Sequence, residues 1–270
     1  MRPRHLLSLV AFAAPAFFSY AVAAESGRPA SLSVAAAANL VYALDALNAE
    51  FGRTAPEVTV TSATGASGSL VAQITHGAPY DVFLSADRGF AQALIKAGQA
   101  DDKSLSTFAV GRLVLWTTRA GVDVSDIAAA VRNPLVQKLA VANVDTAPYG
   151  RAAEQALKAL GAWDEAKPKI VMGENISQTA QFVETGNADA GFVALSIVVS
   201  PRLKGKGRWV EVPVNLHEAL EQCAVITARG ASNPAAARYI AFLHSPAAQS
   251  ILEAFGYGIP SSGQPNHFRT

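Results

Sequence analysis

The 270-residue chain has a single cysteine, Cys223, so no intrachain disulfide is possible. That residue sits in the apolar run Cys223-Ala224-Val225-Ile226 and reads as a buried small hydrophobe. Charge is scarce: Asp, Glu, Lys and Arg make up 16% of the chain, 22 basic residues against 21 acidic. A nucleic-acid partner usually demands a clustered basic face, and none is present, so no nucleic acid is expected as a partner. His, Cys, Asp and Glu do not gather at metal-ligand spacings, which leaves neither a direct protein–metal site nor a resident cofactor to expect. Beyond the N-terminus no stretch reaches the ~18 consecutive apolar residues of a membrane span. Any anion this chain binds must be held by local donors, because no large positive field exists to capture it.

What is present begins with a leader. MRPRHLLSLVAFAAPAFFSYAVAA carries Arg2, Arg4 and His5, then an apolar run, then the small-residue end Ala21-Val22-Ala23-Ala24. This is the pattern of a cleavable signal peptide over residues 1–24. A membrane anchor fits less well, since Pro15 and Ser19 interrupt the run. No cysteine ends the leader, so a lipid anchor is not expected either. An exported, soluble, disulfide-free chain of this kind suits a bacterial periplasm.

Removing 24 of 270 residues leaves about 246, enough for one large domain or two lobes with separate cores. Strand and helix patterns alternate through both halves. Leu40, Leu44, Leu47 and Phe51 recur at spacings of 3 and 4 and predict a helix over 40–52. Strands are expected at 57–61, 81–85, 112–118, 138–142, 169–172, 189–193, 209–214 and 223–227. Helices are expected at 69–76, 88–97, 150–160, 176–184, 196–199, 234–244 and 247–255. This alternation predicts an α/β fold of mostly parallel sheets with helices on both faces.

Residues 61–70, TSATGASGSL, pose the functional question. Small hydroxyl residues and glycines there join a strand to a helix, with Ser67 at the junction. Asn39, Tyr149-Gly150 and Asn175-Ile176-Ser177 occupy three similar junctions. In an open parallel sheet such junctions share the carboxyl ends of the strands, where ligands bind. Helix starts offer unpaired N–H groups and a partial positive charge. Asn, Ser and Thr are also ordinary N-caps. Four such junctions on one rim favour an anion site, with simple capping as the alternative.

At these residues the chain resembles the periplasmic molybdate-binding proteins, solute receptors of ABC importers. VAAAANL (34–40), TGASGSLVAQITHGAPYDVFLSAD (64–87), APYGRAAEQALKALGAWD (147–164) and GENISQTAQFVETGNADAGFVALS (173–196) carry the resemblance, which spans nearly the whole chain after the leader. It implies a two-lobed type II periplasmic binding protein fold with the ligand in the inter-lobe cleft. From the segment order, one lobe is expected at 30–110 plus 219–270 and the other at 111–218. Asn39 matches a ligand position where the family commonly has serine and a subset has asparagine, whose amide can donate. Ser67 matches a ligand serine. Tyr149 matches a position that donates either a backbone N–H or a tyrosine hydroxyl, and Ile176 one that donates its backbone N–H. Ala194 departs from the pattern, since many relatives place a ligand tyrosine there; the Tyr149 hydroxyl is a possible replacement from the other side.

The resemblance thus implies a molybdate or tungstate receptor, not an enzyme, expected as a monomer, that delivers its oxyanion to a membrane permease with its ATPase. Both anions are fully deprotonated dianions near neutral pH, so a matching site needs donors only. Monohydrogen phosphate keeps a proton and favours an acceptor carboxylate; Asp145 and Glu174 lie near enough in sequence to keep phosphate open. A receptor for sulfate or another tetrahedral oxyanion is the alternative within the binding class. A secreted serine hydrolase using Ser67 is the distant one: GASGS (65–69) departs from G-x-S-x-G at its fifth position, and His76, His217, His244 and His267 are scattered.

Overall fold

A computed structural model describes residues 30–260; the expected signal peptide at 1–24 and His267 lie outside the described residues. The first stretch runs β1 (Ala30–Ala37), a 3-10 turn (Ala38–Leu40), α1 (Val41–Thr54), β2 (Val58–Gly65), α2 (Ser67–Thr75), β3 (Val82–Ser85), α3 (Arg88–Lys96) and β4 (Ser106–Gly111). The second runs β5 (Leu113–Thr117), α4 (Ile127–Arg132), β6 (Leu139–Ala142), α5 (Pro148–Ala159), α6 (Trp163–Ala166), β7 (Ile170–Gly173), α7 (Ile176–Glu184), β8 (Ala190–Ala194), α8 (Leu195–Val198) and β9 (Arg208–Glu211). The chain then closes with β10 (Leu220–Ile226), α9 (Pro234–Leu243) and α10 (Pro246–Ala254).

These elements form two five-stranded sheets, ordered β2-β1-β3-β10-β4 and β7-β6-β8-β5-β9. In each sheet three neighbouring strands run parallel, and the fourth pairs antiparallel with both the third and the fifth. The expected parallel direction therefore holds for all strands but β10 and β5. Those two follow the places where the chain passes between sheets: from β4 to β5 through Arg112 alone, and from β9 to β10 through residues 212–219. The two sheets share one topology, a repetition that no sequence repeat announces.

The side-chain alternation of the strands sets the cores. Along β1, Leu32, Val34 and Ala36 face the cluster formed with α1, α9 and α10, while Ala35 faces the cluster of α2 and α3. Strand β3 divides the same way, Val82 and Leu84 against Phe83. Burial on both faces explains why these strands read as apolar runs. Phe51 of α1 packs edge-on to Tyr239 of α9 at 5.0 Å between ring centroids. A third cluster fills the second sheet and continues into Ala37, Ala38, Ala66 and Ala86 of the first, so apolar contact is unbroken between them.

Several expectations need correction. β4, α4 and α6 were not expected. The sequence does carry a start signal for α4, since the Asp126 carboxylate accepts the Ala129 N–H at 2.9 Å ahead of an alanine-rich turn. The strand expected at 209–214 stops at Glu211, because Pro213 cannot donate to a ladder; Val214–Leu216 form a 3-10 turn instead. The strand expected at 57–61 extends to Gly65, so TSATG is strand and Ser67 is the first helical residue, with Ala66 alone between them. Cys223 is fully buried, and burial pushes its thiol up to about 11, which suits its reading as a hydrophobe.

One carboxylate ties the second sheet together. Asp189 accepts the N–H groups of Gln137 and Lys138, at 2.8 and 2.9 Å, and pairs with Arg119. Burial acts to raise its pKa, but these donors and the guanidinium outweigh burial and hold it below the ordinary aspartate value. A depressed folded pKa contributes stability above the unfolded value of about 3.9 and loses it as pH falls through the folded one. Asp189→Asn is therefore expected to lower the melting temperature at pH 7 by several degrees, at about 2–4 °C per kcal/mol. Its deficit relative to wild type should shrink as melts are repeated from pH 5 down to pH 3.

Candidate functional site

The repeated topology dictates where a ligand can sit. In each sheet the strand order reverses beside the central parallel strand, β1 in one and β6 in the other, and the crevice at such a point opens at the carboxyl ends. Four helices start there: α1 after β1, α2 after β2, α5 after β6 and α7 after β7. Their first residues enclose a small pocket lined by Asn39, Ser67, Tyr149 and Ile176, with Ala86 and Ala147 among its other walls. All four residues singled out in the sequence thus come together, two from each sheet.

The caps of these helices are unusual. Away from the pocket, α3, α9 and α10 begin with Asp87, Asn233 and Ser245, whose side chains accept N–H bonds of the first turn. At the pocket, α2 and α5 begin with Ala66 and Ala147, which have no side-chain acceptor, and the turn leading into α1 begins with Ala37. Alanine in place of a good N-cap costs about 0.5–2 kcal/mol. α7 does have a cap, Asn175, but its Oδ1 takes the N–H groups of Ser177 and Gln178. The Ile176 N–H is left over. Consequently the N–H groups of Asn39, Ser67, Tyr149 and Ile176 find no acceptor among the described residues, and all four belong to the pocket wall.

Ser67 adds a fifth donor. Its Oγ accepts the Ala86 N–H at 3.1 Å, which fixes the oxygen and leaves the hydroxyl proton free to donate. The other two polar side chains differ in what they bond. Asn39 commits both Nδ2 hydrogens away from the pocket, to Gln222 Oε1 and to Tyr257 Oη, each at 2.8 Å. Its amide is therefore occupied, and its backbone N–H is the available donor. The Tyr149 hydroxyl is buried without a partner among the described residues, beside Gly111 at the end of β4, and the backbone N–H of this pocket-wall residue is unbonded as well. Burial and the neighbouring Tyr257 raise the Tyr149 pKa well above its ordinary value, which keeps the hydroxyl neutral. Ala194 is fully buried and does not line the pocket.

No carboxylate lines the pocket, and Asp145 and Glu174 lie outside its wall. The backbone N–H groups of Asn39, Ser67, Tyr149 and Ile176 and the Ser67 hydroxyl supply donors, so the arrangement suits an anion whose oxygens accept. Direct contacts draw the two sheets together around it. The Gly68 N–H donates to the Thr146 carbonyl at 2.9 Å, and Ser196 Oγ to the Asn39 carbonyl at 2.8 Å. Arg151 of α5 pairs with Asp87 and lies 5.6 Å over the Phe90 ring. Among the described residues the nucleophile reading of Ser67 finds no histidine base: His76, His217 and His244 bond to Ala72, Glu218 and Ser106 instead.

Comparison with known proteins agrees with this geometry. The sequence profile of the bacterial extracellular solute-binding proteins matches residues 32–258. The chain is 40% identical over 235 residues to the molybdate-binding protein ModA of Azotobacter vinelandii, covering 87% of this chain and 92% of that protein. It is 41% identical over 199 residues to ModA of Rhodobacter capsulatus, covering 74% and 77%. The solved structure of the Azotobacter vinelandii periplasmic molybdate-binding protein superposes with a TM-score of 0.80 at 34% identity, covering 85% of this chain and 99% of that one.

Proposed function

This chain belongs to the bacterial extracellular solute-binding proteins, among their molybdate-binding receptors, and on that premise we propose how it works. It captures molybdate in the cleft between its sheets and passes it to an ABC import permease. The observation that supports this reading most directly is a pocket without a carboxylate that gathers four unbonded backbone N–H groups and the Ser67 hydroxyl. Among the described residues the two lobes are 30–110 plus 219–260 and 111–218, and the anion sits between them. The chain acts in the periplasm, after removal of residues 1–24.

The physical balance is favourable without an arginine or lysine. A hydrogen bond to a charged group contributes about 1.5–3 kcal/mol net. Five of them, held by helix starts that need no rearrangement, contribute on the order of 10 kcal/mol before the costs of closure. The anion also caps helices that lack a cap of their own, so binding and local helix stability reinforce one another. Monohydrogen phosphate would bring its proton to a wall that has no carboxylate to accept it. Tungstate, equal in charge and nearly equal in size, is bound as well. Opening at the two crossings, Arg112 and residues 212–219, releases the anion to the permease.

Calorimetric titration of anion-stripped protein with molybdate, tungstate, sulfate and phosphate tests the assignment. One-to-one binding of the first two, with sulfate at least about a hundredfold weaker (roughly 2.7 kcal/mol), is the expected result. Heat from sulfate or phosphate alone would overturn the ligand. Ser67→Ala removes one donor and strands the Ala86 N–H; molybdate affinity should fall about 10- to 100-fold with an unchanged circular dichroism spectrum. Wild-type affinity in that variant would remove Ser67 from the site.

A further inference from the structure

Behind the pocket lies a buried polar cluster that anion binding does not itself require. Its centre is Gln222, fully buried on β10, at the point where the pairing of β10 with β4 shifts register between Gln222 and Cys223. A bulge of this kind re-aims a side chain, here towards the interior. Gln222 Oε1 accepts from Asn39 Nδ2 at 2.8 Å. Its Nε2 donates to the carbonyls of Leu220, at 2.8 Å, and Ala86, at 3.3 Å. Asn39 and Ala86 are both pocket-wall residues, and the Ala86 N–H holds the Ser67 hydroxyl. One side chain is thus bonded to the residue that presents one donor and to the residue that orients another.

The same side chain lies beside both passages between the sheets. Gln222 lies two residues into β10, just after the second crossing. Gly111 ends β4, just before the first; a Cβ there would lie 2.2 Å from Tyr149 Oη and 2.9 Å from Gln222 Nε2. Only a glycine lets Tyr149 and Gln222 meet the crossing so closely. Tyr257 completes the clamp on Asn39, accepting from Nδ2 at 2.8 Å and donating to the backbone carbonyl at 3.0 Å. The cluster retains an unbonded acceptor, Asn39 Oδ1, and an unbonded hydroxyl, Tyr149 Oη.

We propose that Gln222 is a positioning residue for oxyanion binding: it holds Asn39 and, through Ala86, Ser67 in their donor geometry, and ties both to the strand ends that flank the interlobe crossings. The inference rests on the receptor reading, and its test separates the two. Wild type, Gln222→Leu, Asn39→Leu and the double variant are titrated with molybdate, or with whichever of the four anions wild type retains, and dissociation is followed by stopped flow. Gln222→Met, which fills a similar volume, replaces the leucine variant should that one fail to fold.

Either single change should weaken binding about 10- to 50-fold, mainly through faster dissociation. The double variant should stay within about threefold of the worse single one, because both act through the same bond. A purely structural role would lower melting temperatures without producing this shared loss. Gln222 variants within twofold of wild-type affinity, or losses that simply multiply, overturn the proposal while leaving the receptor assignment standing. A wild-type protein that ignores molybdate but binds another of the anions sinks the ligand assignment alone. Silence towards all four overturns both.

Discussion

Gly68→Val is expected to abolish tight anion binding, by at least about a hundredfold (roughly 2.7 kcal/mol), while each half of the protein stays folded. Gly68 is the second residue of α2, and its N–H reaches across the cleft to the Thr146 carbonyl at 2.9 Å. A Cβ at this position would stand 3.0 Å from Thr146 Cα and 2.8 Å from the Phe90 ring. Phe90 is on the same side as Gly68 and has a side chain that can turn, but the Thr146 backbone belongs to the opposite half. The two valine methyls therefore hold the halves apart, and overpacking of this kind costs about 1–3 kcal/mol or more. Gly68→Ala sharpens the test, because its two effects have opposite signs. On helix propensity alone alanine gains up to about 1 kcal/mol over glycine, so the unliganded protein should melt no lower than wild type. Its affinity should nevertheless drop about tenfold, the cost of moving Thr146 by a few tenths of an ångström. A Gly68→Val protein with wild-type affinity would mean that anion binding does not require the closed arrangement.

How much of this site was legible in the sequence depends on which bonds are local. The helix expected at 176–184 is found at Ile176–Glu184, because its signals are adjacent: a capping Asn175, an apolar stripe and the stop at Thr185-Gly186. The meeting of four strand-to-helix junctions was also legible, since strand direction alone assigns them to one rim. The donor atoms were not. Asn39 reads as an amide donor until its side chain is seen to turn inward to Gln222 and Tyr257, 183 and 218 residues away in sequence. No local pattern reports a partner at that distance. Gln222 was invisible for the same reason. One signal was present and passed over: Ala37, Ala66 and Ala147 stand where Ser, Thr, Asn or Asp would cap a helix start. A poor cap at several junctions on one rim marks N–H groups kept free for something outside the chain.

That argument gives the sharpest test of the backbone donors, because a helix start is the one place where an N–H can be deleted without breaking a helix. Proline at the first helical position has its φ already set and removes only a donor the helix does not use. Ile176 occupies that position in α7, and Asn175 before it is extended, with φ −151° and ψ 173°, as a residue preceding proline must be. Ile176→Pro should therefore keep the helix, with the Asn175 cap on Ser177 and Gln178 intact. Stability falls by the apolar contact of a side chain that is 3% exposed, a loss of about 1–2 kcal/mol. Binding suffers more. The variant loses one charge-assisted hydrogen bond, about 1.5–3 kcal/mol, and the proline ring carbon intrudes where the anion oxygen would approach. A fall in molybdate affinity of more than about a hundredfold is expected. Ile176→Ala is the control: it trims the same side chain but keeps the N–H, and it should lose stability while binding within about threefold of wild type. If alanine weakens binding as much as proline does, the side chain and not the amide serves the anion, and the helix-start account of the site fails at this position.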